Sequence, residues 1–266
     1  MVMRLVVWNM GNGGPGGSEE KHERAWQYLE QQEWDVALLQ ETRKPPEWAQ
    51  ERYASRVWRP KYARKPTGRA LWGCAVIGRS SELEEFEPDE GFPWLEVLAG
   101  STAIARSAAS PRWLASVHFH TSKIADVVLA AHSIEGVVMT TPNRTIWETD
   151  VIPYELHRLF GDQTFIWGGD LNSDPRMDDY GFVGGNRRLR EVYAESGSLD
   201  TRARFFDSYQ QTYLKAGKRP YQLDHVFADA RTEQRVTEWH VDSRPATEQP
   251  PYSDHAPIVV TVDASP

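Results

Sequence analysis

The sequence predicts an α/β protein in which two packed β-sheets carry helices on their outer faces. Apolar segments of strand length alternate with segments of helical length along the 266 residues, without a long linker or an internal repeat. Hydrophobic residues make up 40% of the chain, which supports a substantial core. Several apolar segments end at an acid, an amide or a histidine, so polar chemistry is expected at the rim of a sheet. We expect one domain over residues 1–266.

The first half of the chain contains five predicted strands and two predicted helices. Ser18 is a suitable N-cap for the first helix, which has an acidic first turn and an apolar face. Pro45-Pro46 predicts the start of a second helix that reaches about Arg56. The acidic stretch Glu82–Glu90 is interpreted as a solvated loop. The predicted strands are Met3–Asn9, Trp34–Gln40, Leu71–Ile77, Thr102–Arg106 and Trp113–His118.

The second half continues the alternation of helix and strand. Periodicity predicts helices over Glu148–Phe160 and Asn186–Ala194. The predicted extended segments are Phe165–Trp167, Gln222–Phe227, Val236–Val241 and Pro257–Val262.

The overall charge and the cysteine content narrow the functional classes. Lysine and arginine number 30 against 38 acidic residues, so the net charge is −8, which disfavours tight sequence-independent binding to nucleic acid. A nuclease remains compatible with this net charge, because a metal ion can supply positive charge at the site.

Cys74 is the only cysteine and is expected to be a core residue that forms no disulfide. With no signal peptide or membrane-spanning segment evident, we expect a cytoplasmic monomer.

Three strand ends carry oxygen ligands. The strand ending at Trp167 runs into Gly168-Gly169-Asp170, and the period of two in extended chain places Asp170 and Asn172 on one face. Asn9 and Glu41 also follow apolar strands, although each could instead serve an ordinary turn. Because one or two carboxylates suffice to bind Mg²⁺, Glu41 is a candidate metal ligand.

Two histidines are candidates for proton transfer or phosphate contact. His255 is the residue best suited to act as a general base, because the pKa of histidine lies near neutrality. We assign Asp224 as the carboxylate that would fix the orientation of the His255 ring. His118 ends a predicted strand and His120 lies two residues further on. Only one of these two is expected to be catalytic.

Six short motifs follow one another along nearly the whole chain and together resemble a known set. They are Trp8-Asn9, Gln40-Glu41, Ser116-Val117-His118, Gly169-Asp170-Leu171-Asn172, Leu223-Asp224-His225-Val226 and Ser253-Asp254-His255. In this order they resemble the motifs of the endonuclease/exonuclease/phosphatase superfamily, which has a deoxyribonuclease I-like fold. The resemblance implies a four-layer sandwich of two mixed sheets flanked by helices, with the site at one rim.

The resemblance also implies roles for individual residues. Glu41 resembles the principal Mg²⁺ ligand, with Asn9 and Asp254 assisting, and Mn²⁺ is an alternative metal. Asp170 and Asn172 would position the attacking water and the phosphate, while Asp224 would orient His255. His118 matches a position at which some relatives have histidine and others tyrosine, and it would stabilise the phosphate or the leaving group.

The expected activity is metal-dependent hydrolysis of phosphodiester bonds, with a nuclease acting on DNA or RNA placed first. A stretch of basic residues interleaved with aromatic residues suits contacts to a nucleic-acid backbone, although it could equally be a solvated helix and loop. The alternative function is a phosphatase or phosphodiesterase acting on lipid headgroups, inositol phosphates or other small esters. A catalytically silent binding module would require losses at the motif positions, and none is visible. The candidate substrate-binding residues are Arg56, Arg59, Lys61, Arg64 and Lys65.

Overall fold

A computed structural model describes residues 2–12, 18–53, 55–62, 70–79, 82–108, 112–181 and 184–263. Within these ranges the strands form two six-stranded mixed sheets, as the sequence predicts. The strands are β1 (Val2–Asn9), β2 (Val36–Thr42), β3 (Ser55–Tyr62), β4 (Ala70–Gly78), β5 (Leu83–Glu85), β6 (Thr102–Ser107), β7 (Arg112–His118), β8 (Thr164–Asp170), β9 (Leu199–Asp200), β10 (Asp224–Ala228), β11 (Val236–Val241) and β12 (Ile258–Asp263).

The helices connect the strands. The predicted cap of the first helix is confirmed, because the Ser18 hydroxyl accepts a hydrogen bond of 3.0 Å from the backbone N–H of Lys21. In the described residues no helix is both long enough and apolar enough to cross a membrane. The α-helices are α1 (Glu19–Gln31), α2 (Glu47–Arg52), α3 (Pro93–Val97), α4 (Asp126–Ala131), α5 (Glu148–Phe160), α6 (Asn186–Glu195), α7 (Ala230–Glu233) and α8 (Arg244–Thr247), with 3₁₀-helices at Pro175–Tyr180 and Thr201–Arg204.

The order of the strands brings the polar strand ends to one rim. The first sheet has the order β11-β12-β1-β2-β4-β3, and the second has the order β5-β6-β7-β8-β10-β9. Parallel pairing of β1 with β2 sets Asn9 opposite Gln40. In the second sheet, Asp170 lies opposite both His118 on β7 and Asp224 on β10. The register therefore places these polar residues at one level of the molecule.

Three separate apolar cores show that the sheets and helices form four layers. Alternation along β1 directs Leu5 and Val7 into the core between the two sheets, whereas Val6 and Trp8 pack with residues of α1 and α2. On the other side of the molecule, α3, α5 and α6 contribute residues such as Leu156 to a core against the second sheet. Burial of each leucine or valine side chain contributes about 1.5–3 kcal/mol to the free energy of folding. The four-layer sandwich is thus confirmed.

Two local predictions were wrong. The helix predicted to reach Arg56 ends at Arg52, and the chain then forms β3, which starts at Ser55. A proline at position 60 is tolerated there because β3 is the edge strand of its sheet. The acidic stretch from residue 82 contains a short edge strand, β5, because its backbone pairs with β6 and its Glu85 carboxylate pairs with Arg59 at 2.9 Å.

Candidate active site

The two sheets meet at a rim where four strands deliver side chains to one point. Asn9 ends β1, Glu41 lies at the end of β2, His118 ends β7 and Asp170 ends β8. The Asn9 amide nitrogen lies 2.9 Å from Oδ2 of Asp170 and 3.4 Å from Oε1 of Glu41. His118 Nε2 lies 3.5 Å from the same Glu41 oxygen and 3.8 Å from the same Asp170 oxygen. The structure thus joins four of the sequence-predicted residues in one group, in which Asn9 and His118 both lie against the carboxylates of Glu41 and Asp170.

A histidine–carboxylate pair completes the group from the other side. His255 Nδ1 lies 2.8 Å from Oδ2 of the fully buried Asp224, and His255 Nε2 lies 3.8 Å from Asp170 Oδ2. The backbone of His255 is also fixed, because its carbonyl accepts a bond from the Trp8 indole and its N–H donates to the Ser253 hydroxyl. The pair therefore has one orientation, with Nε2 directed at the carboxylate of Asp170.

The loop after β8 depends on close backbone packing. A Cβ at Gly169 would lie 1.9 Å from the Val117 carbonyl oxygen, so any other residue at this position would collide with the backbone of β7. Asn172 donates its backbone N–H to Asp170 Oδ1 at 2.8 Å and its side-chain amide to the Phe119 carbonyl at 2.9 Å. These bonds hold the Asp170–Asn172 segment against the end of β7.

Backbone strain is concentrated in the same place. Glu41 has φ of 46° and Asn172 has φ of 49°, both in the left-handed region that disfavours non-glycine residues. Only one other non-glycine residue in the described part of the chain, Arg144, has a positive φ. Strained backbone of this kind clusters at functional sites, where the surrounding structure enforces it.

Burial and neighbouring charges change the proton affinity of the central groups. Burial raises the pKa of Asp170 above its ordinary value, and nearby Asp224 raises it further, although His255 and two hydrogen bonds oppose this shift. Burial by itself would lower the pKa of His255, but the carboxylates of Asp224 and Asp170 outweigh it and raise this pKa to about 10. Both shifts therefore favour retention of a proton within the Asp170–His255 pair.

The donor atoms at the rim fit a divalent metal ion. Ligand atoms of Glu41, His118 and Asp170 all lie within 4.8 Å of one another. Glu41 is the outermost of the two carboxylates, with 21% of its side chain exposed against 2% for Asp170. Hard divalent cations prefer such carboxylate oxygens, and a cation offsets the repulsion between them. Asp254 is not a member of this group, and its carboxylate lies 3.6 Å from Lys215 Nζ.

The predicted basic stretch does not converge on this rim where the structure describes it. Arg56 lies opposite Ile77 near the far end of β3, and its guanidinium donates to the carbonyls of Gln50 and Tyr53. Arg59 pairs with Glu85 instead of facing the site. For Lys61 the structure describes only the backbone position within β3. Arg64 and Lys65 lie outside the described residues.

A different set of cations surrounds the rim, and the sequence interpretation missed it. The cleft above Glu41, Asp170 and His255 has a volume of about 1270 Å³. Four cationic side chains, which we call the cleft cations, line it: Lys21, Lys215, Lys218 and Arg219. The short run Lys215-Ala216-Gly217-Lys218-Arg219 before the Asp224 motif was the available signal, but the longer run around Arg59 drew the prediction.

Specific contacts hold Lys21, Arg219 and the loop that carries Lys215 in place. Lys21 Nζ donates to the Gly11 carbonyl at 2.7 Å. The Arg219 guanidinium carbon lies 3.4 Å from the centre of the Tyr180 ring, a cation–π contact. The loop that carries Lys215 is attached to the His255 segment, because Leu214 N–H donates to the Asp254 carbonyl at 2.8 Å. The positive wall of the cleft is thus joined to the histidine side of the site.

Comparisons with solved structures support the fold. Over the whole fold the chain is similar to an AP endonuclease from Archaeoglobus fulgidus, with a TM-score of 0.70, 17% identity, and 98% of this chain and 100% of that chain covered. It is also similar to a 3′ phosphatase from Neisseria bound to a product DNA hairpin, with a TM-score of 0.68, 14% identity and coverage of 98% and 99%. An AP endonuclease from Leishmania major gives a TM-score of 0.66, 18% identity and coverage of 99% and 88%.

No curated protein sequence matches the chain significantly, so the sequence-level assignment depends on a family model. The model of the Endonuclease/Exonuclease/phosphatase family matches residues 6–255, a span that runs from β1 to the His255 segment and contains every side chain of the rim. The chain belongs to the endonuclease/exonuclease/phosphatase family and is a phosphate-ester hydrolase.

Proposed function

We propose that this protein is a divalent-metal-dependent nuclease that hydrolyses phosphodiester bonds in DNA or RNA. The observation that carries the proposal is the position of the rim residues at the floor of a cleft lined by the four cleft cations. A net charge of −8 makes this local concentration of positive charge conspicuous. Cations placed beside a hydrolytic site suit a substrate that carries further phosphates next to the one that reacts.

The proposed chemistry is in-line attack of water on phosphorus. Mg²⁺, or Mn²⁺ in its place, would be held by Glu41, whose carboxylate the Asn9 amide contacts and would position, and would supply positive charge to the phosphoryl oxygens. Asp170 has a raised proton affinity and is the group that would accept a proton from the attacking water, with Asn172 fixing its position.

The two histidines of the rim would bind the phosphate as donors. The neighbouring carboxylates raise the pKa of His255 and favour its charged form, whose Nε2–H would suit a phosphoryl oxygen better than the role of general base assigned from the sequence alone. Asp224 would keep that imidazole charged and oriented. His118 lies on the other side of Asp170 and would face charge that develops on the leaving group.

A panel of substrates tests the reaction and its substrate class. We expect the purified protein with Mg²⁺ to cleave plasmid DNA, single-stranded DNA or RNA, and to lose this activity in excess chelator. Small phosphate esters, an inositol phosphate and sphingomyelin should react much more slowly, because they leave the cleft cations without phosphates to bind. Faster turnover of a small ester or a lipid would support the phosphatase or phosphodiesterase alternative and overturn the nuclease proposal.

The cleft cations should contribute more to the binding of nucleic acid than the residues of the predicted basic stretch do. We expect Lys215→Gln with Lys218→Gln to raise KM for nucleic acid and to flatten the log–log salt dependence of binding by about one unit per lost phosphate contact. The matched pair Arg56→Gln with Arg59→Gln should leave both unchanged, since neither arginine lines the cleft. Turnover of a small phosphodiester should be similar in all variants. A larger loss of nucleic-acid binding in the Arg56→Gln, Arg59→Gln variant would instead indicate that the substrate lies along β3.

A further inference from the structure

Lys21 differs from the other three cleft cations in its position and in its burial. Its side chain is partly buried in the first turn of α1, whereas the other three are exposed on the loop 215–219. The Lys21 ammonium group donates to the Gly11 carbonyl at 2.7 Å, and Gly11 lies just beyond the end of β1. Lys21 is therefore attached to the rim itself and not to the far wall of the cleft.

The backbone at Gly11 leaves room for this ammonium group. Gly11 lines the cleft and has φ of 60°, in the left-handed region that favours glycine. A Cβ at this position would lie 3.1 Å from Lys21 Nζ and 3.4 Å from Asp254 Oδ1. The ammonium group and the Asp254 carboxylate thus lie against the same glycine, and a side chain at position 11 would crowd both.

The same segment brings Lys21 close to the candidate metal ligand. The backbone N–H of Asn12 donates to the Glu41 carbonyl at 3.2 Å, so the segment after β1 runs beside the end of β2. The carboxylates of Asp254 and Glu41 both attract the Lys21 ammonium group and act against the lowering of its pKa by burial. Lys21 therefore places a positive charge at the side of the rim on which Glu41 lies.

The hydrogen bonds of Lys21 leave donors for a group in the cleft. An ammonium group has three N–H donors. Among the residues that the structure describes, only the Gly11 carbonyl accepts one of them. Because Lys21 lines the cleft together with Glu41 and Asp170, the other two donors are available to a phosphate bound there.

We propose that Lys21 is a catalytic residue that donates to a non-bridging oxygen of the phosphate that reacts. The inference deepens the proposed function and rests on its hydrolytic site at the rim, while the other three cleft cations would bind neighbouring phosphates. A fixed ammonium group that binds more strongly as charge develops on the phosphoryl oxygens raises kcat. A cation on a neighbouring phosphate binds the ground state and the transition state equally, so it mainly lowers KM.

Removal of the charge with retention of an unbranched apolar side chain provides the first test. We expect Lys21→Met to lower kcat about 10²-fold, the scale of one lost donor to transition-state charge, on a polymer and on a small chromogenic phosphodiester alike. Lys215→Met should instead raise KM for the polymer. The matched control is Lys123→Met, an exposed lysine that does not line the cleft and should leave both activities unchanged. A loss in Lys21→Met that is confined to KM for the polymer would overturn the proposal.

Chemical restoration of the charge distinguishes catalysis from support of the fold. The only cysteine of the chain, Cys74, is buried, so Lys21→Cys introduces one accessible thiol. Its thiolate displaces bromide from 2-bromoethylamine to give thialysine, which has the length and charge of lysine, whereas iodoacetamide gives a neutral side chain. We expect kcat to return only with the aminoethyl group. Equal recovery with both reagents, or with neither, would overturn the proposal.

Binding of Mn²⁺ without substrate gives a readout that does not depend on turnover. The Lys21 ammonium group repels a cation held at Glu41, so Lys21→Met should bind Mn²⁺ more tightly in electron paramagnetic resonance titrations, although it is less active. Weaker Mn²⁺ binding would make Lys21 a support of the metal ligand and overturn its contact with phosphate. A wild type that hydrolyses only small esters, with a kcat that still depends on Lys21, would overturn the nuclease proposal and support this one.

Discussion

Replacing His255 with alanine is expected to lower kcat by about 10²–10³-fold, the range for loss of one positioned hydrogen-bond donor to charge that develops in the transition state. The side chain is 7% exposed, and its Nε2 faces Asp170 at the rim, so its loss removes the donor proposed to bind a phosphoryl oxygen. Rates measured with saturating Mg²⁺ on a polymeric substrate check the prediction. His240→Ala on the exposed part of β11 is the matched control and should have wild-type activity.

The partner of His255 should act with it as a unit. Asp224→Asn alone is expected to reduce the rate, and combining it with His255→Ala should cost little more than His255→Ala by itself. The reason is the 2.8 Å contact between Asp224 Oδ2 and His255 Nδ1, through which Asp224 exerts its effect. Strictly additive losses in the double variant would mean that Asp224 acts on the reaction through some other contact.

The pH dependence of the Asp224→Asn variant distinguishes the two roles considered for His255. The Asp224 carboxylate helps to raise the pKa of His255, so its removal lowers that pKa. If the charged imidazole binds phosphate, the variant must lose activity at a lower pH than the wild type as pH rises. If the neutral imidazole acts as the base, the variant must instead gain relative activity toward low pH. We expect the first result.

Much of this site was predictable because short-range patterns determine which residues end a buried strand. The apolar run before Asp170, and those before Asn9 and Glu41, identify strands whose polar ends share a rim in a sheet. His118 lies opposite Asp170, and Asp170 lies opposite Asp224, because of the register in which the three strands pair. The residue pattern of a single strand does not determine its register with a neighbouring strand, so these pairings could be read only from the folded structure.

The positive wall of the cleft could not be predicted in the same way. The basic stretch around Arg59 is denser in sequence than the run from Lys215 to Arg219, but β3 is an edge strand on which Arg59 pairs with Glu85. Lys21 reaches the cleft only because α1 brings its ammonium group to the Gly11 carbonyl. Charge density along a chain does not show which cations line a cleft, because the strand order and the loop contacts that place them there involve residues distant in sequence.

Glu41→Gln is expected to reduce activity at a fixed low concentration of Mg²⁺ by orders of magnitude and to raise the Mg²⁺ concentration needed for half-maximal rate. Glu41 presents the more exposed of the two carboxylates near His118, and a neutral amide binds a hard cation less strongly than a carboxylate does. Titration of activity with Mg²⁺ and with Mn²⁺, together with direct measurement of Mn²⁺ binding by electron paramagnetic resonance, checks both effects.

The stability of the same variant separates a metal ligand from a structural residue. The Asn9 amide nitrogen contacts the carboxylates of both Glu41 and Asp170, so these two acids lie close together. Loss of the Glu41 charge therefore relieves the repulsion between them in the metal-free protein. We therefore expect Tm without metal to be unchanged or higher in Glu41→Gln, and the stabilisation of the wild type by added Mg²⁺ to be lost. The matched control is Glu84→Gln on the exposed edge strand β5, which should leave activity and Mg²⁺ response unchanged. Full wild-type activity in excess chelator would contradict the metal site itself, and a large fall in Tm would make Glu41 a structural residue.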